Sequence, residues 1–306
     1  MDILFRIFSR ALHALTARNT LGHGVHSPYL YNMVRFVIYD DNRYYSWADI
    51  EKERRRLLRA DRTLSVTDYG TGASATSAKS TKSTNSTNSV SSTNSTNSTS
   101  SRLISAIART SLMPPRDARL LFRLVNMLRP ALVVELGTSL GITTAYLASA
   151  AGKGRVVSFE GSTALAAEAE QVWSRLSLSN AEVITGNIDS TLEQFLQSPQ
   201  QLPRFNQISQ FNQISQLPQL PHPVDFALLD ANHTGEATLR YFGLLATKAA
   251  PKSIFVLDDI RYSRSMYRAW KQICRHPRVT STIDLGDMGI VLFDPDYLPR
   301  HYKMRI

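Results

Sequence analysis

From Ala131 onward, short apolar segments alternate with longer segments whose apolar residues recur at helical spacing. Short apolar runs bounded by turn residues are typical of buried strands, whereas apolar residues at every third or fourth position are typical of helices. Seven strands are predicted: ALVVEL, RVVSFE, AEVIT, VDFALLD, SIFVLDD, VTSTIDL and GIVLFD. This alternation predicts an α/β fold with a mostly parallel sheet, helices on both faces, and a closing hairpin of the last two strands.

The chain before Ala131 has a different pattern, dominated by helical spacing. Residues 1–62 predict helices separated by a glycine turn, with Pro28 at the start of one of them. Residues 102–129 predict one or two more helices, with arginines between the apolar positions. The α/β part therefore follows a helical N-terminal region.

Two segments have a low-complexity composition. Residues 73–101 consist almost wholly of Ser, Thr, Asn and Ala, and an insertion at about 198–222 repeats Phe-Asn-Gln-Ile-Ser-Gln. Such compositions bury too little apolar surface to offset the entropy lost on ordering, so both are predicted to be surface loops. The predicted division is a helical extension at 1–72, a loop at 73–101, a helical lead-in at 102–130 and an α/β domain at 131–306.

Composition excludes several classes of protein. The single cysteine among 306 residues excludes a disulfide framework and a multi-cysteine zinc site. No apolar run is long enough for a membrane span, and the N-terminus lacks the apolar core of a signal peptide, so a cytoplasmic protein is expected. Half of the net charge of +10 lies in residues 102–130, where six arginines face one acid. These arginines lack interleaved aromatic residues, so nucleic acid is not favoured as a partner.

A glycine turn directly follows the first predicted strand of the α/β part. It runs from Gly137 to Gly141, and Glu135 precedes its first glycine by two positions. A nicotinamide-type fingerprint would have glycines where this chain has Ser139 and Ile142. The acid is poorly placed for a pyrophosphate and well placed to accept a hydrogen bond from an ammonium group. The turn therefore favours a ligand with a cationic amino-acid head.

The second predicted strand ends in a carboxylate. Glu160 lies 23 positions after Gly137, at the carboxyl end of the neighbouring strand. Open α/β sheets bind ligands at these ends, and a carboxylate there can accept hydrogen bonds from both hydroxyls of a ribose. We therefore expect Glu160 to bind a nucleoside.

Four segments, ELGTSLGITTAYLA, VVSFEGS, LLDANH and VLDDIRYS, resemble class I S-adenosylmethionine-dependent methyltransferases, and within them the catechol O-methyltransferase-like branch. The resemblance covers residues 131 to about 294. It implies a Rossmann-like seven-stranded sheet and S-adenosylmethionine as the cofactor. The segments GHGVHSPYLYN and VTDYGTGAS are further similar to bacterial methyltransferases with a helical N-terminal extension, as found in Bacteroidetes.

The resemblance also implies which residues bind the cofactor. They are Glu135, Gly137, Thr138, Ser139 and Gly141 at the methionine end, Glu160 at the ribose, Gly161 beside the adenosine, Asn187 near the adenine, and Asp230 at the end of the fourth strand.

Three carboxylates end neighbouring predicted strands: Asp230, Asp258 and Asp259. Together they would suit Mg²⁺ or another divalent cation, because such ions prefer oxygen ligands. The resembling branch has Asn where this chain has Asp259. The alternative is that Asp258 and Asp259 cap the next helix.

His233 stands where the resembling family has a lysine after its D-A-D motif. An imidazole there could act as general base, so Asp230 and His233 are the predicted catalytic residues. The alternative for His233 is an ordinary polar loop residue.

Four further features have weaker signals. His23 and His26 predict either a turn before Pro28 or a lid that contacts the substrate. Residues 69–72 suggest a second tight turn, and Cys274 is expected to be a packing residue.

These observations predict a methyltransferase that acts on a hydroxyl of a small molecule, with metal assistance as an option. An RNA or protein acceptor and a non-catalytic nucleoside-binding module are the alternatives, and a homo-oligomer is left open.

Overall fold

The computed structural model of the protein describes residues 2–68, 98–197, 223–297 and 299–306. The turn predicted at residues 69–72, most of the loop predicted at 73–101, and the insertion at 198–222 lie outside the described residues.

The described N-terminal region contains helices, which its pattern predicts, and one small pair of antiparallel strands, which it does not predict. The elements are α1 (Asp2–Thr16), α2 (Pro28–Met33), α3 (Ser46–Leu58), β1 (Thr63–Asp68), β2 (Ser98–Leu103), α4 (Ile104–Ser111) and α5 (Pro115–Leu128). A short 3₁₀ turn covers Thr20–Gly22, and a π-helical turn at Val34–Ile38 continues α2. Ser27 caps α2 by accepting from the backbone N–H of Leu30.

The hairpin corrects the prediction at the end of the low-complexity loop. Residues 98–101 were expected to belong to that loop, yet they lie in β2, which pairs antiparallel with β1. The pairing joins Thr67 to Thr99, and their hydroxyls lie 3.4 Å apart. A cross-strand partner thus supplies the hydrogen bonds and contacts that composition alone did not reveal.

The α/β part alternates strands and helices as predicted. Its elements are β3 (Leu132–Leu136), α6 (Ile142–Ala151), β4 (Arg155–Glu160), α7 (Thr163–Arg175), β5 (Ala181–Thr185), α8 (Ile188–Gln197), β6 (Val224–Leu229), α9 (Gly235–Ala246), β7 (Ala249–Leu257), α10 (Arg264–Ile273), β8 (Ser281–Asp284), β9 (Gly289–Leu292) and β10 (Arg300–Lys303).

The sheet has the strand order β10-β8-β9-β7-β6-β3-β4-β5. All seven predicted strands are present, and only β9 runs antiparallel to its neighbours, which confirms the mostly parallel α/β fold. The described residues add an eighth strand, β10, which pairs in parallel with β8 at the edge of the sheet. The segment RHYK of β10 has no apolar run, so its sequence predicted no strand.

The N-terminal helices pack onto one face of this sheet. Nine of the ten residues of α6 are buried, because α6 lies between the sheet and helices α3 and α5. An aromatic cluster forms this contact: the ring of Trp47 lies 5.6 Å from that of Phe122 and 6.4 Å from that of Tyr146. The Tyr146 hydroxyl also donates to Glu51 at 2.8 Å. The N-terminal helices and the sheet therefore share one hydrophobic core.

Helix α1 is fixed to the other end of the sheet by a buried ion-pair network. The guanidinium of Arg261, 2% exposed, donates to both carboxylate oxygens of Asp284 at 2.7 and 2.8 Å. His13 of α1 lies 3.2 Å from the same carboxylate, and Arg10 donates to Asp287 at 2.7 Å. This network connects α1 to the loop after β7, which carries two of the candidate site residues. None of the helices in the described ranges has the length and apolar character that crossing a bilayer requires.

Candidate functional site

The glycine turn between β3 and α6 is closely packed against its neighbours. Gly137 has φ +98°, and a Cβ on it would lie 2.2 Å from the carbonyl oxygen of Asp230. Gly141 has φ +76°, and a Cβ there would lie 2.7 Å from the Cβ of Ala169. Both positions combine a left-handed backbone with no room for a side chain, so the turn depends on glycine at each of them.

Glu160 connects this turn to the end of β4, as the spacing predicted. Its two carboxylate oxygens each accept a backbone N–H, one from Ser139 and one from Ser162, both at 2.9 Å. Ser139 is also 2.8 Å, oxygen to oxygen, from the hydroxyl of Ser111 in α4. No pattern in the sequence pointed to Ser111, since it is 28 positions away in a separate helix.

Glu135 lies beneath the turn and is fully buried. Thr144 and Ser158 donate to its Oε2 at 2.5 and 2.6 Å, and Thr138 in turn contacts Ser158. Among the described residues, Oε1 of Glu135 has no hydrogen-bond partner. Burial raises the pKa of Glu135 to about 7, although the two hydroxyl donors act in the opposite direction and Glu160 adds to the rise.

Two further carboxyl groups at this edge of the sheet have raised pKa values. Burial, and then the charges of Asp258, Asp259 and Glu135, raise the pKa of Asp230 well above its usual range. Burial and the neighbouring Asp259 raise the pKa of Asp258 to about 7. Carboxyl groups are therefore crowded at the carboxyl ends of β3, β6 and β7, and a bound cation would lower their pKa values by favouring the ionised forms.

Replacing Glu135 with Gln should reduce the dependence of stability on pH. The pKa of Glu135 is about 7 in the folded protein and lower in the unfolded chain, so the folded state holds this proton more tightly. The contribution of the proton to the free energy of unfolding is therefore complete below the unfolded pKa and is lost as the pH rises through about 7. That loss is about 3 kcal/mol for the ligand-free protein. Urea unfolding at about pH 5 and about pH 8 should show a smaller fall for Glu135→Gln than for the unchanged protein.

The matched control is Glu236→Gln, since the side chain of Glu236 is 93% exposed. It should leave the fall in stability unchanged. An equal fall in Glu135→Gln and in the unchanged protein would contradict the raised pKa.

Left-handed backbone conformations recur in the loops at this edge. Ser139 has φ 49°, Asn232 has φ 66°, His233 has φ 45° and Asp259 has φ 54°. Such conformations are uncommon for residues other than glycine and are often found at functional sites. The three loops that follow β3, β6 and β7 share this property, so the strained backbone lies in the same loops as the acidic residues of the candidate site.

His233 and Asp259 form a pair at the solvent side of the site. Nδ1 of His233 lies 3.5 Å from Oδ2 of Asp259, and the side chains are 37% and 30% exposed. The ring of Tyr262 lies 5.4 Å from that of His233. Sequence reasoning named His233 and Asp259 separately and missed Tyr262, for which the sequence has no signal.

The metal site predicted at Asp230, Asp258 and Asp259 stays a prediction. Among the residues that the structure describes, no group of three or more His, Cys, Asp or Glu side chains could hold a metal ion. Asp258 instead accepts the backbone N–H of Asp259 at 2.9 Å. The alternative helix-cap role is not seen either, because α10 is capped by Ser263, which accepts from Met266. Asp258 therefore stabilises its own loop.

Two other predicted cofactor residues lie in loops at the same edge. Gly161 directly follows β4, next to Glu160. Asn187 follows β5 and begins α8, where its side-chain oxygen accepts the N–H of Asp189 at 3.0 Å. Their roles at the adenosine remain predictions.

The remaining candidates lie elsewhere. His23 and His26 are exposed in the turn before α2, and their role as a lid remains a prediction. Cys274 is half-buried with its sulfur 3.7 Å from the hydroxyl of Thr282, and burial raises its pKa to about 11. This environment agrees with a packing role.

A family model described as "Methyltransferase domain" matches residues 134–260, which include the glycine turn, Glu160, His233 and Asp259. The matched part of the chain runs from β3 to the loop after β7. No curated protein matches the chain.

Several solved structures are similar to part of the chain. An O-methyltransferase from Bacillus cereus in complex with SAH is 21% identical, with 60% of this chain and 83% of that chain covered and a TM-score of 0.46. The O-methyltransferase TomG from Streptomyces achromogenes, in complex with SAM, is 18% identical, with coverage of 60% and 82% and a TM-score of 0.47. An SAH-bound methyltransferase from Podospora anserina is 11% identical, with coverage of 61% and 81% and a TM-score of 0.48.

Proposed function

We propose that this protein is a methyltransferase that transfers the methyl group of S-adenosylmethionine to a hydroxyl group of a small molecule. The observation that carries the proposal is the carboxylate-rich edge beside the glycine turn. There, Glu160 offers two oxygens next to the turn, while Glu135 is fully buried, Asp230 is half-buried, and both have raised pKa values. A ligand with a ribose, an ammonium group and a sulfonium matches these three features.

The described residues fit this cofactor. The two oxygens of Glu160 accept the backbone N–H groups of Ser139 and Ser162, which holds the carboxylate beside the turn in a position to accept from ribose hydroxyls. The partnerless Oε1 of Glu135 offers an acceptor near the turn, to which an ammonium group can be linked directly or through water. Asp230 lies close enough to Glu135 for their charges to interact, and a cationic centre beside them would favour the ionised form of both carboxyl groups.

The cofactor, when bound, supplies a methyl group activated on a positively charged sulfur. His233 would accept the proton of the acceptor hydroxyl, which prepares that oxygen to receive the methyl group. His233 is exposed enough to meet an acceptor, and Asp259 stabilises the imidazolium that forms. The enzyme otherwise contributes alignment of the two reactants, as expected for a direct displacement.

We expect methyl transfer to persist in EDTA, because the three aspartates do not form a metal-binding group in the described structure. The measurement is transfer of labelled methyl from S-adenosylmethionine to a mixed panel of phenols and catechols, with EDTA and with added Mg²⁺. Loss of activity in EDTA and its recovery with Mg²⁺ would contradict this expectation and would support the metal predicted from the resemblance.

Calorimetry tests the cofactor proposal. S-adenosylmethionine and S-adenosylhomocysteine should both bind, whereas NAD should not, since the turn lacks the glycines of a nicotinamide fingerprint. Binding of NAD alone, or of none of the three, would refute the proposal. Binding of both sulfur nucleosides with no turnover on any acceptor would favour a non-catalytic nucleoside-binding module.

One observation favours an RNA acceptor as the second candidate. An open groove at the end of α3 is lined by five basic residues together with Ala60 and Asp61; the basic residues are Lys52, Arg55, Arg56, Arg59 and Arg62. Two of these arginines already pair with Glu168, which reduces the charge available to phosphates. RNA affinity that falls steeply with salt would support this candidate, and weak binding with a shallow salt dependence would remove it.

A further inference from the structure

Helix α1 has a continuous apolar stripe on its outer surface. Six large apolar side chains of this helix are between 48% and 84% exposed: Ile3, Leu4, Ile7, Phe8, Leu12 and Leu15. They recur at a spacing of three and four residues and therefore share one face of the helix. Exposed apolar residues are normally scattered singly, so a contiguous stripe of this kind indicates an interaction surface.

The opposite face of α1 is firmly attached to the protein. His13 contacts Asp284, Arg10 donates to Asp287, and the ring of Phe5 lies 6.0 Å from that of Tyr267 in α10. These contacts determine which face of α1 is turned outward. The exposed stripe is therefore a property of the folded protein.

The surface beside the stripe is basic. The guanidinium of Arg264 lies 5.7 Å from the ring of Phe5, and Arg268 and Lys271 follow at the spacing that puts them on the same face of α10. Together α1 and α10 contain five Lys and Arg residues and one acid, Asp2. An apolar stripe with basic residues beside it is typical of helices that lie in the interface of a membrane.

We propose that α1 and the basic face of α10 form a docking surface for an anionic phospholipid membrane. The apolar stripe would enter the headgroup region while Arg264, Arg268 and Lys271 contact lipid phosphates. A second copy of the chain is a poorer match, because its net charge is also +10.

Membrane docking would bring the candidate site close to the lipid surface. Arg6 of α1 lies over the ring of Tyr262 at 5.0 Å, and that ring is 5.4 Å from the ring of His233. The inner face of α1 thus contacts the loop after β7 through Tyr262, which lies beside His233, the predicted general base. The outer face of α1 would contact the membrane.

Vesicle flotation tests this proposal with the full chain. Phosphatidylcholine vesicles containing phosphatidylglycerol should carry the protein at low salt, and vesicles of phosphatidylcholine alone should not. The double variant Arg268→Gln, Lys271→Gln should bind about thirtyfold more weakly, because each cation contributes roughly fivefold near an anionic surface. The variant Phe8→Ser should lose at least about tenfold through the apolar contribution.

The matched control is Phe36→Ser, since Phe36 is also exposed, at 71%, but lies outside α1 and α10. It should float as the unchanged protein does, and circular dichroism should show that all variants are folded. The proposal would be overturned if Phe8→Ser bound vesicles as tightly as the unchanged protein does. It would also be overturned if the unchanged protein bound both types of vesicle equally, or bound neither. A dimer that Phe8→Ser dissociates, without vesicle binding, would assign the stripe to a second copy instead.

Discussion

Replacement of Glu160 by Gln should weaken the binding of S-adenosylhomocysteine by about a hundredfold or more. The carboxylate of Glu160 has one oxygen on the N–H of Ser139 and the other on the N–H of Ser162. An amide has one oxygen and one NH₂ group, so one of these two N–H groups would face a second donor. The loop that holds the unpaired N–H, that of Ser139 or that of Ser162, would open, and the ribose hydroxyls would lose a charged acceptor. A hydrogen bond to a charged group contributes roughly 1.5–3 kcal/mol.

Calorimetry with S-adenosylhomocysteine measures this effect without any knowledge of the methyl acceptor. The matched control is Glu193→Gln, because Glu193 is exposed on α8 and accepts only from Gln197 in the described contacts. Unchanged affinity in Glu160→Gln, together with an unchanged melting temperature, would refute the ribose role. Lower melting temperature with unchanged affinity would assign Glu160 to the stability of the loop alone.

The sheet was predictable because strands buried on both faces have nearly continuous apolar sequences. All five residues of β3 and four of the six residues of β4 are buried, and both segments were identified from their apolar runs. The hairpin of β1 and β2 and the edge strand β10 have no such run. Each forms because a partner strand is available, and single-sequence patterns carry little information about tertiary pairing.

The candidate site divides in the same way. Residues that end a strand, such as Glu160, or directly follow one, such as Asp230, were predictable because the carboxyl ends of parallel strands meet at one edge. Ser111 and Tyr262 reach the site from a helix and a loop through tertiary contacts. The sequence predicted Glu135 as an acceptor for the ligand, but it did not reveal that Ser158 and Thr144 occupy one of its oxygens.

The replacement His233→Asn should lower the rate of methyl transfer by about a hundredfold or more, since a general base contributes typically 10²–10⁴-fold. Asn keeps a polar group in a left-handed backbone conformation, which His233 adopts with φ 45°. The loop should therefore keep its shape, and S-adenosylhomocysteine should bind as before. The variant Asp259→Asn should have a smaller effect, because Asp259 contributes to the proton transfer through its contact with His233.

The measurement is labelled methyl transfer to the panel of phenols and catechols across a range of pH. A general base removes the hydroxyl proton during the transfer, so the rate of His233→Asn should fall at every pH while its affinity for S-adenosylhomocysteine stays the same. The control is His276→Asn, because His276 follows α10 and precedes β8, away from the carboxyl ends of the parallel strands. If His233→Asn kept the rate of the unchanged protein, the hydroxyl proton would have to be removed by another group or lost by the acceptor itself. His233 would then be an ordinary polar loop residue, and the fold would contribute alignment and electrostatics alone.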